Sequence, residues 1–140
     1  MSPHTSDWDA GWVKPVFVSG LNKRGFWIDY PEGLKVGDCA DISKFVYLQC
    51  KYGVDIGEHA EIGSFTAVLS ESSIDEKVGK VIIREHAKVG AHCTVMPNTI
   101  MQKYSLLAAN SFLQAGTTIG EREIWGGTPA RKIGTYDRER

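Results

Sequence analysis

The sequence predicts an all-β fold, a left-handed parallel β-helix shaped as a triangular prism, from three observations. Aliphatic residues recur at every sixth position, small residues follow them four positions later, and glycine often follows them directly. A period of six matches neither the 3.6-residue period of a helix nor the alternation of hairpin strands. It matches a coil in which each unit forms one short strand and one corner. Three units then close a coil, and successive coils stack about 4.8 Å apart.

The repeat is unbroken from residue 83 to residue 119. Its aliphatic positions, expected to point into the prism, are Ile83, Val89, Val95, Met101, Leu107, Leu113 and Ile119. Its small positions, expected at crowded corners, are Ala87, Cys93, Thr99, Ser105, Ser111 and Thr117. Each buried aliphatic side chain contributes roughly 1.5–3 kcal/mol, so these rows are expected to support the fold without helices. The alternative, a β-sandwich with evenly spaced turns, leaves the matched small residues unexplained.

Two shorter runs of the same repeat occupy the N-terminal half. Their aliphatic positions are Val36, Ile42 and Leu48, then Ile56, Ile62 and Val68. Glycines follow several aliphatic residues, as at Gly37, Gly57, Gly63, Gly90 and Gly120, where we expect them to supply unusual corner angles. The pattern predicts a cap with first strands over residues 1–35, the β-helix over 36–122, and a closing motif with tail over 123–140.

Two interruptions break the repeat. Tyr52 and Gly53 fall where the spacing slips, which predicts a slight bulge. Residues 70–80 are polar and are expected to leave the prism as a loop. Functional residues often lie on such loops, and a tolerated surface insertion is the alternative.

Composition limits the classes of partner. A net charge of −1 gives no general attraction to nucleic acid or to anionic membranes. Three cysteines without a C-x-x-C pair argue against a disulfide framework or a zinc knuckle, and they fit a reducing compartment. The chain start lacks signal-peptide features, and no stretch approaches the roughly 20 apolar residues of a membrane span. We therefore expect a cytoplasmic protein.

Three stretches carry a family resemblance. Residues 89–97 read VGAHCTVMP, residues 107–113 read LAANSFL, and residues 127–133 read GTPARKI. They resemble recurring segments of the hexapeptide-repeat acyltransferases, which include galactoside, maltose, serine and antibiotic acetyltransferases. The third stretch matches the closing G-x-P-A-[KR]-x-I motif of that family, and the resemblance covers roughly residues 36–134.

The resemblance implies a homotrimer of parallel prisms, with active sites between neighbouring subunits. It implies acetyl-CoA as the acyl donor, no metal, and a sugar or nucleotide sugar as the small-molecule acceptor. Backbone amides at small residues, which a ligand can approach closely, would hold the pantetheine arm of CoA. Cationic side chains would bind the CoA phosphates. The positions implied for CoA binding are Ala91, Ala109, Gln114, Gly127, Thr128, Arg131 and Lys132.

The catalytic base departs from the family pattern. Sugar and antibiotic acetyltransferases place a histidine at the start of the loop, where this sequence has Ser72, Ser73, Ile74 and Asp75. We expect Asp75 and His86 as catalytic residues, and Ser72 and Ser73 as substrate-binding residues. His59 is a further candidate, expected to stack with His86 one coil apart. Alternatively no strong base is needed, because an attacking amine loses its proton easily, and this favours an amino-sugar acceptor.

Two other function classes stay open. The γ-class carbonic anhydrases share this fold and hold a metal with three histidines, for which His59, His86 and His92 are candidates. A non-catalytic trimeric scaffold is the other class, and it predicts no CoA binding. In the cap, the residues Trp27, Asp29, Tyr30 and Tyr47 form either a surface for a sugar or nucleotide, or simply the core of the cap.

Overall fold

The computed structural model describes residue 12 and residues 17–137. The rest of the predicted cap, including Trp8, and residues 138–140 of the predicted tail lie outside the described residues. No helix among the described residues is long and apolar enough to cross a membrane. The described chain forms short strands that wind around one core.

Three mainly parallel sheets form the faces of a prism, called X, Y and Z. Face X contains β3 (Leu34–Val36), β6 (Val54–Ile56), β11 (Val81–Ile83), β14 (Ile100–Met101) and β17 (Thr118–Ile119). Face Y contains β4 (Asp41–Ile42), β7 (Glu61–Ile62), β12 (Lys88–Val89), β15 (Leu106–Leu107), β18 (Glu123–Gly127) and β19 (Ala130–Thr135). Face Z contains β1 (Gly20–Leu21), β2 (Trp27–Asp29), β5 (Tyr47–Gln49), β8 (Ala67–Leu69), β13 (Thr94–Val95) and β16 (Phe112–Leu113). From β3 onward the chain visits X, Y and Z in turn, which confirms the predicted parallel β-helix.

Aliphatic rows fill the prism as the repeat predicts. On face X, Ile56, Ile83, Met101 and Ile119 are in register on successive strands. All seven aliphatic positions predicted from residue 83 onward are buried. The small positions are buried as well, apart from the half-buried Thr117. The apolar interior therefore follows directly from the six-residue period.

The backbone angles at the corners differ from those expected for the glycines. Left-handed backbone angles lie on the third residue after most aliphatic positions, with φ of 57° at His59 and 61° at His86. The glycines that directly follow the aliphatic residues have no such angle. At Gly90 an added Cβ would lie only 2.5 Å from the backbone nitrogen of Ala109 in the next coil. The predicted reason for these glycines was therefore wrong. At Gly37, Gly57, Gly63 and Gly90 the backbone of the next coil leaves no room for a side chain.

Both predicted interruptions are present. The first is a turn at Lys51 and Tyr52, followed by Gly53 at φ 103°. The second, predicted as a loop over residues 70–80, is a β-hairpin made of β9 (Glu71–Ser72) and β10 (Lys77–Val78). At its base the Gly79 amide donates a hydrogen bond to the Ser70 carbonyl at 2.9 Å.

The two ends of the described prism differ. Near its beginning, the rings of Phe17 and Phe26 lie 5.9 Å apart, and Trp12 Nε1 donates to the Ala40 carbonyl at 3.3 Å. A short 3-10 helix, Pro31–Gly33, connects β2 to β3. At the other end, β18 and β19 pair antiparallel as a closing hairpin.

Candidate active site

The three edges of the prism carry different side chains. The histidine edge, between faces X and Y, carries Cys39, His59, His86, Tyr104 and Arg122. The phenylalanine edge, between faces Y and Z, carries Phe45, Phe65, His92 and Asn110. The hairpin edge, between faces Z and X, carries the β9–β10 hairpin, Asn98 and Gly116. Because coils stack in register, residues of one edge lie above one another.

The hairpin edge holds the predicted Asp75 together with Ser72. The Ser72 hydroxyl donates to Asp75 Oδ1 at 2.5 Å, and Lys77 Nζ lies 4.0 Å from Asp75 Oδ2. Ser73 is exposed between them, and Ile74 at the hairpin tip is 98% exposed. The hairpin thus presents an oriented carboxylate to solvent, beside an apolar side chain that nothing in the described chain covers.

A polar network centred on the buried Ser70 and Gln49 anchors the hairpin to face Z. Ser70 Oγ donates to Gln49 Oε1 at 2.8 Å and accepts from the Tyr52 amide at 2.9 Å. Gln49 Nε2 reaches Glu71 Oε1 at 3.4 Å, and Lys51 Nζ lies 3.9 Å from the same oxygen. These contacts fix the base of the hairpin, because buried polar groups stabilise a structure only when they are paired.

The histidine edge is a continuous stack of rings. The ring centroids of His59 and His86 lie 5.0 Å apart, and those of His86 and Tyr104 lie 4.6 Å apart. The guanidinium carbon of Arg122 lies 4.5 Å from the centre of the Tyr104 ring, a cation–π contact. The expected stacking of His59 and His86 is confirmed. Both faces of the His86 ring are covered, so only the rim of that ring can meet a substrate.

Small residues on the phenylalanine edge lie one above another. The Asn110 amide donates to the Ala91 carbonyl at 2.9 Å, which places Ala91 and Ala109 on successive coils. In the closing hairpin, the Gly127 amide donates to Ser111 Oγ at 3.0 Å and Thr128 Oγ1 donates to the Asn110 carbonyl at 3.4 Å. Four of the predicted CoA positions, Ala91, Ala109, Gly127 and Thr128, therefore lie along one edge.

The two cations of the closing motif point in different directions. Arg131 donates to Gln114 Oε1 at 3.3 Å, so two further predicted CoA residues are in contact. Lys132 instead pairs with Glu123 Oε2 at 3.1 Å. The Trp125 indole, which donates to Glu123, lowers the pKa of that carboxyl, and the Gly120 amide and Lys132 add to the effect. Adjacent strand residues point to opposite faces, which separates Arg131 from Lys132.

A shallow groove of about 220 Å³ crosses face Y and opens toward the phenylalanine edge. Its wall on that side consists of Gly63, Gly90, Ala108 and Ala109. Its floor carries the ion pair between Lys88 and Glu61. A second groove, of about 540 Å³, crosses face X beneath Phe17 and includes Ile82 and Arg84. The first groove reaches Ala109, one of the small residues predicted to hold CoA.

Three of the four residues expected to form a sugar or nucleotide surface, or the core of the cap, meet on face Z. Asp29 accepts two hydrogen bonds, from Trp27 Nε1 at 2.9 Å and from the Tyr47 hydroxyl at 2.6 Å. Burial and the Asp29 carboxylate raise the pKa of Tyr47, so its hydroxyl stays a donor. Trp27 remains 47% exposed. In the sheet, Asp29 pairs with Gln49, the residue that anchors the hairpin.

Within one chain, the predicted residues fall into separate groups. Asp75, Ser72 and Ser73 lie on the hairpin edge, His86 on the histidine edge, and most CoA positions on the phenylalanine edge. His92 also lies on the phenylalanine edge, away from His59 and His86. Among the described residues there is no group of three or more His, Cys, Asp or Glu side chains arranged to hold a metal. Sequence reasoning overlooked Phe45 and Phe65, although the period places both on the edge that carries His92.

Solved structures share this fold. A hexapeptide-repeat acetyltransferase from Vibrio cholerae complexed with acetyl coenzyme A aligns with a TM-score of 0.75 at 22% identity, covering 81% of this chain and 66% of that one. A maltose O-acetyltransferase from Clostridium difficile aligns at 0.73 and 14% identity, covering 82% and 65%. A variant of AntD, an N-acyltransferase from Bacillus cereus, aligns at 0.66 and 22% identity, covering 84% and 80%. These likenesses confirm the left-handed β-helix fold.

The two sequence relatives share only part of their length with this chain. The chain is 28% identical over 131 residues to a delta-poly-L-ornithine synthetase from Acinetobacter baumannii, which is 91% of this chain and 10% of that protein. It is 33% identical over 49 residues to a mitochondrial gamma carbonic anhydrase of Arabidopsis thaliana, which is 35% of this chain and 18% of that protein. The chain therefore spans a small part of the relatives that it matches. No protein-family model matches it.

Proposed function

We propose that this chain is a CoA-dependent acyltransferase that works as a homotrimer and acylates an amino or hydroxyl group of a sugar. One observation carries the proposal. The closing hairpin places Gly127 and Thr128 on the same edge as Ala91 and Ala109, beside the groove on face Y. Such an edge suits a narrow pantetheine arm, because small side chains let a ligand approach the backbone closely. Arg131, held by Gln114, supplies a cation for phosphate oxygens.

The structural neighbours support the donor and the acceptor. The Vibrio cholerae enzyme was crystallised with acetyl coenzyme A, and AntD with dTDP-4-amino-4,6-dideoxyglucose and coenzyme A. On this basis we assign acyl-CoA as donor and favour a nucleotide-linked amino sugar as acceptor. The cluster of Trp27, Asp29 and Tyr47 is the surface we assign to the acceptor, since it joins an exposed indole to an oriented carboxylate. We place the activity in the cytoplasm, because three cysteines without a C-x-x-C pair fit a reducing compartment.

The separation of the predicted residues supports a trimer. A catalytic base acts within hydrogen-bond reach of its substrate, and Asp75 lies on a different edge from Ala91 and Ala109. Packing prisms around a threefold axis brings different edges of neighbouring subunits together. The exposed Ile74 at the hairpin tip fits such a contact, because a large apolar side chain gains stability when a neighbour covers it. We therefore propose that the hairpin of one subunit faces the phenylalanine edge of the next.

The chemistry assigned to this site is acyl transfer. The acceptor nitrogen or oxygen attacks the thioester carbonyl carbon, the carbon–sulfur bond breaks, and CoA leaves as a thiolate that takes up a proton. Asp75 accepts the proton of the attacking group, and the hydrogen bond from Ser72 holds its carboxylate in position. Ser73 contacts the acceptor, and the rim of His86 is the second candidate for the base. An amine acceptor suits this arrangement because it needs only a weak base.

Calorimetry with acetyl-CoA tests the proposal. We expect micromolar binding to the wild-type trimer, and binding at least about tenfold weaker in the Arg131→Ala, Lys132→Ala double variant. The single variants show which cation contributes, since Arg131 meets Gln114 and Lys132 meets Glu123. Arg84→Ala, which removes an exposed cation on face X bonded to Gln102, is the matched control and should bind normally. A folded trimer that binds no CoA derivative would point to a scaffold instead.

A metal-dependent carbonic anhydrase activity is the second candidate function. One observation favours it, the short match to a gamma carbonic anhydrase. His59 and His86 stack on one edge while His92 lies on another, so a three-histidine site would need ligands from separate subunits. Metal analysis of the purified trimer decides between the two. A stoichiometric zinc or iron content lost on His92→Asn substitution would favour the carbonic anhydrase activity.

A further inference from the structure

The phenylalanine edge carries an exposed ladder of stacked rings that the proposed function does not use. The ring centroids of Phe45 and Phe65 lie 5.1 Å apart, and those of Phe65 and His92 lie 4.8 Å apart, with interplanar angles of 17° and 11°. Phe45 is 62% exposed and Phe65 is 54% exposed. Two large apolar side chains are thus held in parallel at the surface, in fixed positions.

The fold does not require phenylalanine at these corners. Phe45 and Phe65 have left-handed backbone angles, with φ of 66° and 64°. Bulky residues rarely adopt this conformation, whereas asparagine adopts it readily. Asn98 and Asn110 occupy equivalent corners of other coils, with φ of 61° and 60°. The backbone therefore gives no reason for phenylalanine at these two exposed corners.

The ladder continues the line of the proposed CoA site. His92 directly follows Ala91, and the His92 amide donates to the Ser64 carbonyl at 3.0 Å. In order of distance from the closing hairpin, the phenylalanine edge carries Ala109, then Ala91, and then the ladder. If the phosphates lie near Arg131 and the pantetheine arm lies along the alanines, the acyl end of the donor points toward Phe65.

The shape of the ladder selects among apolar ligands. The faces of Phe65 are covered by Phe45 and His92, so a nucleobase cannot insert between these rings. What remains open is a strip of ring edges running parallel to the prism axis. A flexible alkyl chain fits such a strip, because it gains from apolar contact without needing an open ring face.

We propose that the ladder of Phe45, Phe65 and His92 binds the acyl chain of the donor, and that the enzyme prefers an apolar acyl group longer than acetyl. This inference rests on the proposed acyltransferase function. It assigns to Phe45 and Phe65 the selection of chain length, a role separate from acyl transfer itself. The two coil steps of the ladder are long enough for a chain of medium length to lie along both rings.

Calorimetry with CoA, acetyl-CoA, butyryl-CoA and hexanoyl-CoA tests the inference on the wild-type trimer. Full burial of a methylene group strengthens binding roughly fourfold, and a half-open strip recovers part of that. We expect hexanoyl-CoA to bind about tenfold more tightly than acetyl-CoA. In Phe65→Asn, which suits the left-handed corner, the two should bind within about twofold of each other, with CoA itself unchanged.

Tyr104→Asn is the matched control. It exchanges a stacked ring for asparagine at an equivalent corner, with φ of 61°, but on the histidine edge. It should keep the wild-type preference for hexanoyl-CoA. If CoA binds but chain length has no effect, or if Phe65→Asn keeps the preference, the acyl-chain site is refuted while the transferase proposal stands. If no CoA compound binds, both proposals are refuted.

Discussion

The histidine edge and the phenylalanine edge share one backbone and differ in what they do with it. On both edges, residues with left-handed backbone angles stack at steps of 4.6 to 5.1 Å. On the histidine edge the stack continues through Tyr104 and ends under the Arg122 cation, and the His59 side chain is only 22% exposed. On the phenylalanine edge the stack stops at His92 and gives way to alanines and Asn110.

Position in the repeat therefore fixes the backbone geometry of an edge but not its role. The stack on the histidine edge is half-buried and closed by a cation, so it contributes mainly to stability and leaves only the rim of His86 open to a substrate. A stack that stays exposed and borders small residues leaves surface for a ligand. Substitutions confined to one edge therefore test whether the two edges have separate roles.

Gly90→Ala should have the largest effect. Its added Cβ would lie 2.5 Å from the backbone nitrogen of Ala109, and backbone cannot move aside without separating two coils. We expect a loss of about 3 kcal/mol in the free energy of unfolding, measured by urea denaturation. Gly134→Ala is the control, since no atom lies within 4 Å of its added Cβ, and it should be neutral. Equal stability of the two variants would mean that the coils are not closely packed at the phenylalanine edge.

Tyr104→Asn should lower the stability less, by about 1.5 kcal/mol. It removes the stacking with His86 and the cation–π contact with Arg122, and relief of the left-handed angle offsets part of the loss. The same denaturation measurement checks it. The assignment of the histidine edge to stability fails if this variant is as stable as the wild type.

Alkaline pH should lower the free energy of unfolding through Cys50, which lies on the hairpin edge. Burial, with the Asp29 and Glu32 carboxylates, raises the pKa of the Cys50 thiol to about 12. The unfolded thiol ionises near pH 9, so the stabilisation is complete below that pH and is lost as the pH rises toward 12. We expect the free energy of unfolding to fall by about 1 kcal/mol between pH 8 and pH 10.

Cys50→Ala should flatten that pH dependence, because the variant has no buried thiol to keep protonated. Cys39→Ala removes a partly exposed cysteine on the histidine edge and should leave the slope as it is. Denaturation at several pH values distinguishes the two. A slope that persists in Cys50→Ala would assign the alkaline response to other groups, of which Tyr47, whose pKa is also raised, is the first.

Much of the fold could be predicted because the six-residue period shows which side chains are buried. Each aliphatic position faces the interior, and the slip at Tyr52 and the polar stretch over residues 70–80 mark the two places where the chain leaves the coil. The hairpin form of that stretch was not predicted, since its strand pairs are only two residues long. The period also places residues on edges, which is why the stacking of His59 and His86 followed from the sequence.

The site was less predictable because it depends on side-chain direction and on contacts between distant coils. Arg131 and Lys132 are neighbours in sequence, yet one meets Gln114 and the other Glu123. The meeting of Trp27, Asp29 and Tyr47 depends on the pairing of β2 with β5, which the irregular N-terminal sequence does not show. How edges of different subunits face each other is a property of the assembly, and one chain's period carries no information about it.

Phe65→Asn should have the smallest effect on stability, and it tests whether the phenylalanine edge is needed for the fold. The variant loses one stacking contact on each face of the ring, but the ring is exposed, so little apolar surface returns to water. Asparagine tolerates the φ of 64° that strains phenylalanine, which offsets the loss. We expect the free energy of unfolding to stay within about 0.5 kcal/mol of the wild-type value, against the larger loss for Tyr104→Asn. A loss as large as that of Tyr104→Asn would show that both edges serve the fold, and phenylalanine at this corner would need no ligand to explain it.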